Sequence, residues 1–359
     1  MQILMAIGTR PDYIKSWSVY QAFVQQGIFP TIVATGQHHA ILCQQQAILP
    51  MPIDHWLLDH QPSVPLGQLY GLIYSAALEY LSGKRPHAVF VSGDTTSSLA
   101  VAQAAFHLQI PVAHIEAGLR TGCLDSPYPE EFNRIAIDLL STWLFAPTSR
   151  AARACTKINR QGMIFTTGNT VLDALQYVLP QVPVESHPAP YVLVDLHRRE
   201  TDTAKLQAII EAIITQARKF HVDVIWPAHP RPAVQAVVQA CAHYGPQITI
   251  LPPQPYLSFI NWMRGAQLIL TDSGGVVEEA ITLGTPTLQL RDHTDREEAA
   301  EHQYSWLATT DPDKISRLLE IALPYASCWK ERMRNAKNPY GDGHAGEDIV
   351  QCFLEHCTI

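Results

Sequence analysis

The stretch Thr271-Asp272-Ser273-Gly274-Gly275-Val276-Val277-Glu278-Glu279-Ala280 carries the most information about the fold of this 359-residue chain. It follows a predicted strand at 267–271 and opens a helix predicted to run to about Leu283, which Asp272 or Ser273 can cap. Two glycines let a ligand approach the bare N–H groups of the first helical turn, where the helix dipole is positive. The stretch therefore predicts an anion site, and phosphate is the expected ligand.

A carboxylate further along the same helix extends this interpretation to a nucleotide. Glu279 lies four residues after Gly275 and therefore shares its helical face. There it could accept both hydroxyls of a ribose, while the helix start holds the attached phosphates. The alternative is a capped helix with a Gly-Gly turn and a solvated Glu278-Glu279 pair. The spacing fits neither the dinucleotide fingerprint nor the P-loop.

Length and composition exclude several classes of protein. A chain of this length predicts two domains. The net charge of −8 argues against a nucleic-acid partner, since phosphate backbones are bound by basic patches. Seven cysteines without a C-x-x-C pair predict reduced thiols in a cytosolic protein and no zinc site. Met1 leads straight into a strand, so no signal peptide is expected, and no apolar run approaches the roughly 20 residues of a membrane span.

Short β-rich runs alternate with helical patterns along the whole chain, which predicts the α/β class with two doubly wound, Rossmann-like domains. The predicted domains are 1–179 and 190–337, joined by a proline-rich linker at 180–190. A tail at 338–359 ends in a helix. Strands are predicted at 3–7, 31–35, 53–58, 87–91, 111–115, 143–146, 163–166, 191–196, 222–226, 248–251, 267–271 and 286–290.

Polar side chains follow the carboxyl ends of several predicted strands, where ligands of parallel sheets bind. Arg10, Asp94, Glu116 and His197 all lie just past such ends. His197 and its neighbours to residue 200 either form a salt-bridged loop or help a departing diphosphate. Arg10 and Lys15 offer positive charge from the other domain.

Three of the acids in the first domain are candidates for catalysis. Carboxyl groups that converge on a cleft raise one another's pKa values, so that one can be protonated while another is ionised. Acid/base work at a sugar carbon needs this combination. The candidates are Asp94, Glu116 and Glu130. Alternatively, Asp94 caps a helix, Glu130 pairs with Arg134, and Glu116 binds a metal with His114, although no third ligand stands at a recognisable spacing.

These motifs, in this order, resemble the non-hydrolysing UDP-N-acetylglucosamine 2-epimerases, and the resemblance spans nearly the whole chain. It is carried by residues 8–15 (Gly-Thr-Arg-Pro-Asp-Tyr-Ile-Lys), 93–96, 114–121, 129–134, 197–200, 273–279, 291–292 and 338–343, together with Arg296.

The resemblance implies a GT-B fold with the active site in the cleft between the domains, and a homodimer whose final helix crosses back onto the first domain. It implies UDP contacts from the second domain and Arg10, and catalysis by four residues. The implied UDP contacts are Arg10, Gln254, Phe259, Ser273, Gly274, Glu279 and Arg296, and the implied catalytic residues are Asp94, Glu116, Glu130 and His197. Lys15 and Gly275 complete the set of candidate binding residues.

The chemistry that the resemblance implies removes the C2 proton of the sugar and expels UDP, and re-addition of UDP leaves C2 inverted. Neither a metal nor a nicotinamide cofactor takes part. We therefore expect conversion of UDP-N-acetylglucosamine to UDP-N-acetylmannosamine for surface polysaccharide synthesis. The alternatives are a C2 epimerase for a UDP-diacetamido-uronic acid, a GT-B glycosyltransferase, and a catalytically inactive binding module.

This chain departs from the family pattern at a few positions near the implied site. It has Asp12-Tyr13 where the family usually has Glu-Ala, and Thr201 where Asn is usual. His39-Ala40-Ile41 replaces the usual Arg-Glu-Met. The catalytic set is intact, so these changes bear on the exact substrate and on regulation.

Overall fold

The computed structural model describes residues 1–59, 64–183, 187–196 and 202–357. The chain forms two compact units, one built from Met1–Val178 with Tyr340–Ile359 and the other from Leu179–Pro339. Each unit contains one sheet in which all paired strands are parallel. The α/β class with two doubly wound halves, which the alternating pattern predicted, is confirmed.

The first unit has a seven-stranded sheet in the order β3-β2-β1-β4-β5-β6-β7. Its strands are β1 (Ile3–Ile7), β2 (Thr31–Ala34), β3 (His55–Trp56), β4 (Ala88–Ser92), β5 (Val112–Ile115), β6 (Trp143–Ala146) and β7 (Met163–Thr166). Its helices are α1 (Arg10–Gln25), α2 (His39–Gln45), α3 (Leu66–Lys84), α4 (Thr96–His107), α5 (Glu130–Leu140), α6 (Ser149–Ile158) and α7 (Thr170–Val178).

The second unit repeats the same winding in the order β10-β9-β8-β11-β12-β13. Its strands are β8 (Tyr191–Asp195), β9 (Asp223–Pro227), β10 (Ile248–Leu251), β11 (Leu268–Thr271), β12 (Thr287–Gln289) and β13 (Ser305–Leu307). Its helices are α8 (Thr203–Lys219), α9 (Pro232–Ala240), α10 (Tyr256–Gly265), α11 (Gly274–Thr282), α12 (Glu297–Glu301) and α13 (Pro312–Met333).

The last helix, α14 (Ala345–His356), belongs to the first unit and packs against α1 and α7. The carboxylate of Asp173 accepts the N–H groups of Ala345 at 3.2 Å and Gly346 at 2.6 Å, in the first turn of α14. A carboxylate at this end of a helix matches the dipole. Burial raises the pKa of Asp173 to about 6, and the two N–H bonds act against that rise.

The central strands are apolar on both faces because helices cover both faces of a parallel sheet. All five residues of β1 and of β4 are buried, which places these strands in the centre of the core. In each sheet the winding reverses between two neighbouring strands, β1 and β4 in the first and β8 and β11 in the second. Such reversal points open a crevice at the carboxyl ends of the strands, and ligands bind there.

Several predicted elements differ from those observed. The strand predicted at 53–58 is only the two-residue β3, and β13 was missed because three residues beginning with a buried serine give no strand pattern. Thr95, not Asp94, caps α4, and its hydroxyl accepts the N–H of Ser98 at 3.1 Å. Among the described residues, no helix combines the length and the apolar character needed to cross a membrane.

Candidate functional site

Two of the sequence-predicted residues of the first unit flank its reversal point, and a third follows the next strand. Arg10 begins α1 directly after β1, Asp94 follows β4, and Glu116 follows β5. Because β1, β4 and β5 are neighbours in the sheet, the carboxyl ends of these strands lie side by side. The fold therefore gathers these three residues at one edge of the sheet.

Glu116 is buried and its carboxylate is held from two sides. One oxygen forms an ion pair with Nζ of Lys15 on α1, and the other accepts the side-chain N–H of Asn169 at 2.8 Å. Lys15 is thus placed against an acid of its own unit. Gly93 leaves room for this pair, since an added Cβ there would lie 3.2 Å from the Lys15 Nζ and 3.3 Å from a Glu116 oxygen.

The alternative in which His114 and Glu116 bind a metal together would require both side chains to lie on one face of a strand, and they do not. The strand β5 ends at Ile115, and Glu116 has a positive φ of 67°, so the alternation of side chains stops before it. His114 is directed at Asp138, with Nδ1 2.6 Å from its carboxylate. Among the residues that the structure describes, no group of three or more His, Cys, Asp or Glu side chains could hold a metal ion.

The loop that carries Asp94 is held by two side chains of α5. The side chain of Arg134 forms an ion pair with the Asp94 carboxylate, and the side chain of Asn133 donates to the Asp94 carbonyl at 2.8 Å. About a fifth of the Asp94 side chain is exposed, whereas Arg134 is buried. The carboxylate is therefore fixed in direction and still accessible to a substrate.

The neighbouring acids Glu130 and Glu131 have different surroundings. Glu131 is buried, and its carboxylate accepts the N–H groups of Thr121 and Gly122 at 3.0–3.1 Å. It also lies 3.5 Å from Arg134. Glu130 is partly exposed at the first position of α5. Of the two, Glu130 is therefore the one placed to meet a ligand.

Asp12 ties two of these loops together beneath the strand ends. Its carboxylate accepts the N–H groups of Gly8 at 3.1 Å and Thr9 at 2.9 Å, and the hydroxyl of Thr95 at 3.1 Å. Burial raises the pKa of Asp12 to about 6, against the opposing effect of Lys15. The Asp12 that departs from the family pattern thus connects the loop before Arg10 with the start of α4.

In the second unit, α11 begins at Gly274, and Ser273 occupies the N-cap position without a side-chain capping bond. An added Cβ at Gly274 would lie 3.0 Å from the guanidinium carbon of Arg296. At Gly275, by contrast, no described atom lies within 4 Å of an added Cβ apart from its chain neighbours and the backbone of its own helix. Gly274 therefore makes room for Arg296, and Gly275 leaves the helix start open to a ligand.

A cation beside a helix N-terminus is unfavourable by itself, and buried acids compensate for Arg296. Its Nε lies 2.5 Å from Glu278, and Nη1 lies 3.2 Å from Asp295, which also binds Arg291 at 2.9 Å. These two guanidinium groups and two carboxylates are all buried, and their formal charges cancel. The network therefore does not repel an anion at the start of α11.

The predicted alternative of a solvated Glu278-Glu279 pair is wrong, because both side chains are buried. Glu279 accepts the hydroxyl of Tyr256 at 2.5 Å, while Glu278 binds Arg296. Sequence reasoning missed Tyr256, although it opens α10 in the same segment as the expected UDP contacts Gln254 and Phe259. The Gln254 side chain donates to the carbonyl of Pro252 at 2.7 Å. The predicted catalytic residue His197 lies outside the described residues.

Comparisons with known proteins agree with this arrangement of motifs. Residues 23–354 match the family model described as UDP-N-acetylglucosamine 2-epimerase. The chain is 36% identical to the UDP-N-acetylglucosamine 2-epimerase of Escherichia coli K12, over 98% of each protein. It also matches the crystal structure of the Neisseria meningitidis UDP-GlcNAc 2-epimerase bound to UDP-GlcNAc, with a TM-score of 0.93, 33% identity, and coverage of 99% of this chain and 100% of that one.

A structure from Methanocaldococcus jannaschii, of a UDP-GlcNAc 2-epimerase in complex with UDP-GlcNAc and UDP, matches with a TM-score of 0.86 and 32% identity. It covers 99% of this chain and 100% of that chain. A family match over most of the chain and relatives above 30% identity over their full lengths lead to one conclusion. The chain belongs to the UDP-N-acetylglucosamine 2-epimerase family.

Proposed function

We propose that this protein inverts C2 of UDP-N-acetylglucosamine and so produces UDP-N-acetylmannosamine, which serves surface polysaccharide synthesis. The observation that carries the proposal is that a chain of this family has an anion site in one unit and a group of acids in the other. One unit has Arg296 beside the open start of α11, and the other has three acids, Asp94, Glu116 and Glu130, at neighbouring strand ends and the start of α5.

The reaction proceeds by elimination and re-addition. A carboxylate of the first unit takes the C2 proton, the C1–O bond to UDP breaks, and a double bond forms between C1 and C2. Charge that develops on the departing diphosphate is stabilised by Arg296 and by the N–H groups at the start of α11. A protonated acid then delivers a proton to the opposite face of C2, and the C1–O bond to UDP re-forms.

The three acids are oriented by different neighbours. Glu116 forms an ion pair with Lys15, and Asp94 forms one with Arg134, so a fixed cation orients each carboxylate. Glu130 lies at the opening turn of α5, where the helix dipole also favours a carboxylate. Removal of a proton from carbon needs such an ionised and oriented base.

The nucleotide site makes its own prediction, because we place Glu279 on the ribose. Glu279→Gln keeps an oxygen that can accept the Tyr256 hydroxyl but removes the charge and the second acceptor. Loss of one charge-assisted bond should weaken UDP binding by about 1.5–3 kcal/mol. Isothermal titration calorimetry with UDP measures this. Glu331→Gln, the same change at an exposed position of the same unit, is the control, and wild-type affinity in Glu279→Gln would remove Glu279 from the site.

The acids of the first unit should show the opposite behaviour. Asp94→Asn, Glu116→Gln and Glu130→Gln should each lower kcat by about 10²–10⁴-fold, the usual contribution of general acid/base groups. UDP affinity should stay close to that of the wild type, since the proposed nucleotide contacts lie mainly in the other unit. The control is Asp125→Asn, an exposed acid in the loop before α5. If an amide variant keeps the wild-type kcat, the acid that it replaces has only a structural role.

We further propose that the protein is a homodimer joined through the outer faces of α3, α4 and α5. These helices pack side by side and expose large apolar side chains, namely Leu72, Phe106 and Leu139, with 45–60% of each accessible. Contiguous exposed apolar patches mark protein interfaces, and we propose that these side chains form one. A second copy of the chain covers them by placing the same patch against itself, as two-fold symmetry requires.

Sedimentation velocity tests the dimer. The wild type should sediment with twice the mass of the chain, and Phe106→Glu should shift it towards the monomer because a buried, unpaired charge is costly at an interface. Phe29→Glu makes the same change at a side chain that is 74% exposed outside these helices, and it should leave the dimer intact. A monomeric wild type, or a dimer that tolerates Phe106→Glu, rules out this interface.

A further inference from the structure

A buried histidine beneath the acids of the first unit has both ring nitrogens in hydrogen bonds to acceptors. His114 on β5 is completely buried. Its Nδ1 lies 2.6 Å from an oxygen of Asp138, and its Nε2 lies 2.7 Å from the carbonyl oxygen of Gly93. A backbone carbonyl can only accept, and so can an ionised carboxylate. When Asp138 is ionised, the ring must therefore carry a proton on each nitrogen and is an imidazolium.

The surroundings of Asp138 favour its ionised form. Burial raises its pKa, but the hydrogen bond and charge of His114 and the charge of Arg120 outweigh burial, so the pKa lies below the ordinary value. The second oxygen of Asp138 accepts hydrogen bonds from Nη2 of Arg120 at 2.5 Å and from the N–H of Gly118 at 3.1 Å. The thiol of Cys155 also faces this oxygen, at 3.9 Å.

The ion pair holds the two strand ends that carry Asp94 and Glu116. On one side, His114 binds the carbonyl of Gly93, which has a φ of 64° and directly precedes Asp94. On the other side, Asp138 binds the N–H of Gly118, two residues after Glu116. A shift of the imidazole would therefore move the backbone next to both acids. An added Cβ at Gly93 would face the Lys15 Nζ and a Glu116 oxygen, so this ion pair lies against the same glycine.

We propose that His114 is a positioning residue which, as an imidazolium bound to Asp138, fixes the backbone on either side of the proposed catalytic pair Asp94 and Glu116. This inference rests on the proposed function only for its effect on turnover. The sequence had suggested His114 as a metal ligand, and the hydrogen bonds of both ring nitrogens assign it a different task.

The protonation state can be tested without any activity. In ¹⁵N-labelled wild type at pH 8, NMR should show a proton on both His114 nitrogens. In Asp138→Asn the amide N–H can donate to Nδ1, and the amide oxygen can accept from Gly118 and Arg120. His114 then keeps only the Nε2 proton, still donated to Gly93. A neutral His114 ring in the wild type at pH 8 would overturn the ion pair.

The positioning role is tested by turnover of the same variant and of His114→Phe, in full-length protein shown to be folded by circular dichroism. His114→Phe should lower kcat by about 10²-fold, as expected for a small misplacement of reacting groups, with KM and UDP affinity unchanged. Asp138→Asn preserves the geometry, so its kcat should fall by less than about 10-fold.

If folded His114→Phe keeps the wild-type kcat, the positioning role is overturned. The role is also overturned if Asp138→Asn is as slow as the variants that lack a catalytic acid. If His114→Phe does not fold, the Asp138→Asn rate and the wild-type NMR spectrum still decide. Failure of the proposed function looks different, since the wild type itself would then convert no UDP-sugar while the NMR result stood unchanged.

Discussion

Three ion pairs orient side chains of the candidate site, and the site depends on that pairing. An ionised group taken out of water is costly unless a partner of opposite charge and further hydrogen bonds compensate it. Glu116 with Lys15, Asp94 with Arg134, and Glu278 with Arg296 satisfy this requirement. Each pair also fixes the direction of a side chain, so the groups that would act on a substrate are oriented before it binds.

Two pairs of consecutive glutamates, Glu130-Glu131 and Glu278-Glu279, show how helix geometry gives neighbouring side chains different partners. Consecutive residues of a helix point about 100° apart, because one turn takes 3.6 residues. Glu131 is buried on backbone N–H groups, while Glu130 beside it is partly exposed. Glu278 is buried in the ion pair with Arg296, while Glu279 meets Tyr256. In each pair one acid stabilises the site, and we assign its neighbour to the substrate.

Much of this arrangement could be predicted from local sequence. Alternating strands and helices indicate parallel sheets, and in such sheets Arg10, Asp94, Glu116 and Ser273 fall at strand ends without any knowledge of contacts. The partners could not be predicted in this way. Lys15 and Glu116 are 101 residues apart, and Asn169 reaches Glu116 from beyond β7, so only the folded sheet brings them together. Nothing in the local pattern distinguishes Thr95 from Asp94 as the cap of α4, since both residue types favour that position.

The central claim is that charges held in place by these pairs invert a sugar carbon through loss and return of a proton. The most direct measurement is a time course of ¹H NMR spectra of UDP-N-acetylglucosamine with the protein in D₂O, without added nicotinamide. The account predicts that UDP-N-acetylmannosamine appears and carries deuterium at C2, because a carboxylate exchanges its proton with solvent. A spectrum without a new UDP-sugar, or a C2-inverted product that keeps its original hydrogen in every molecule, would contradict it.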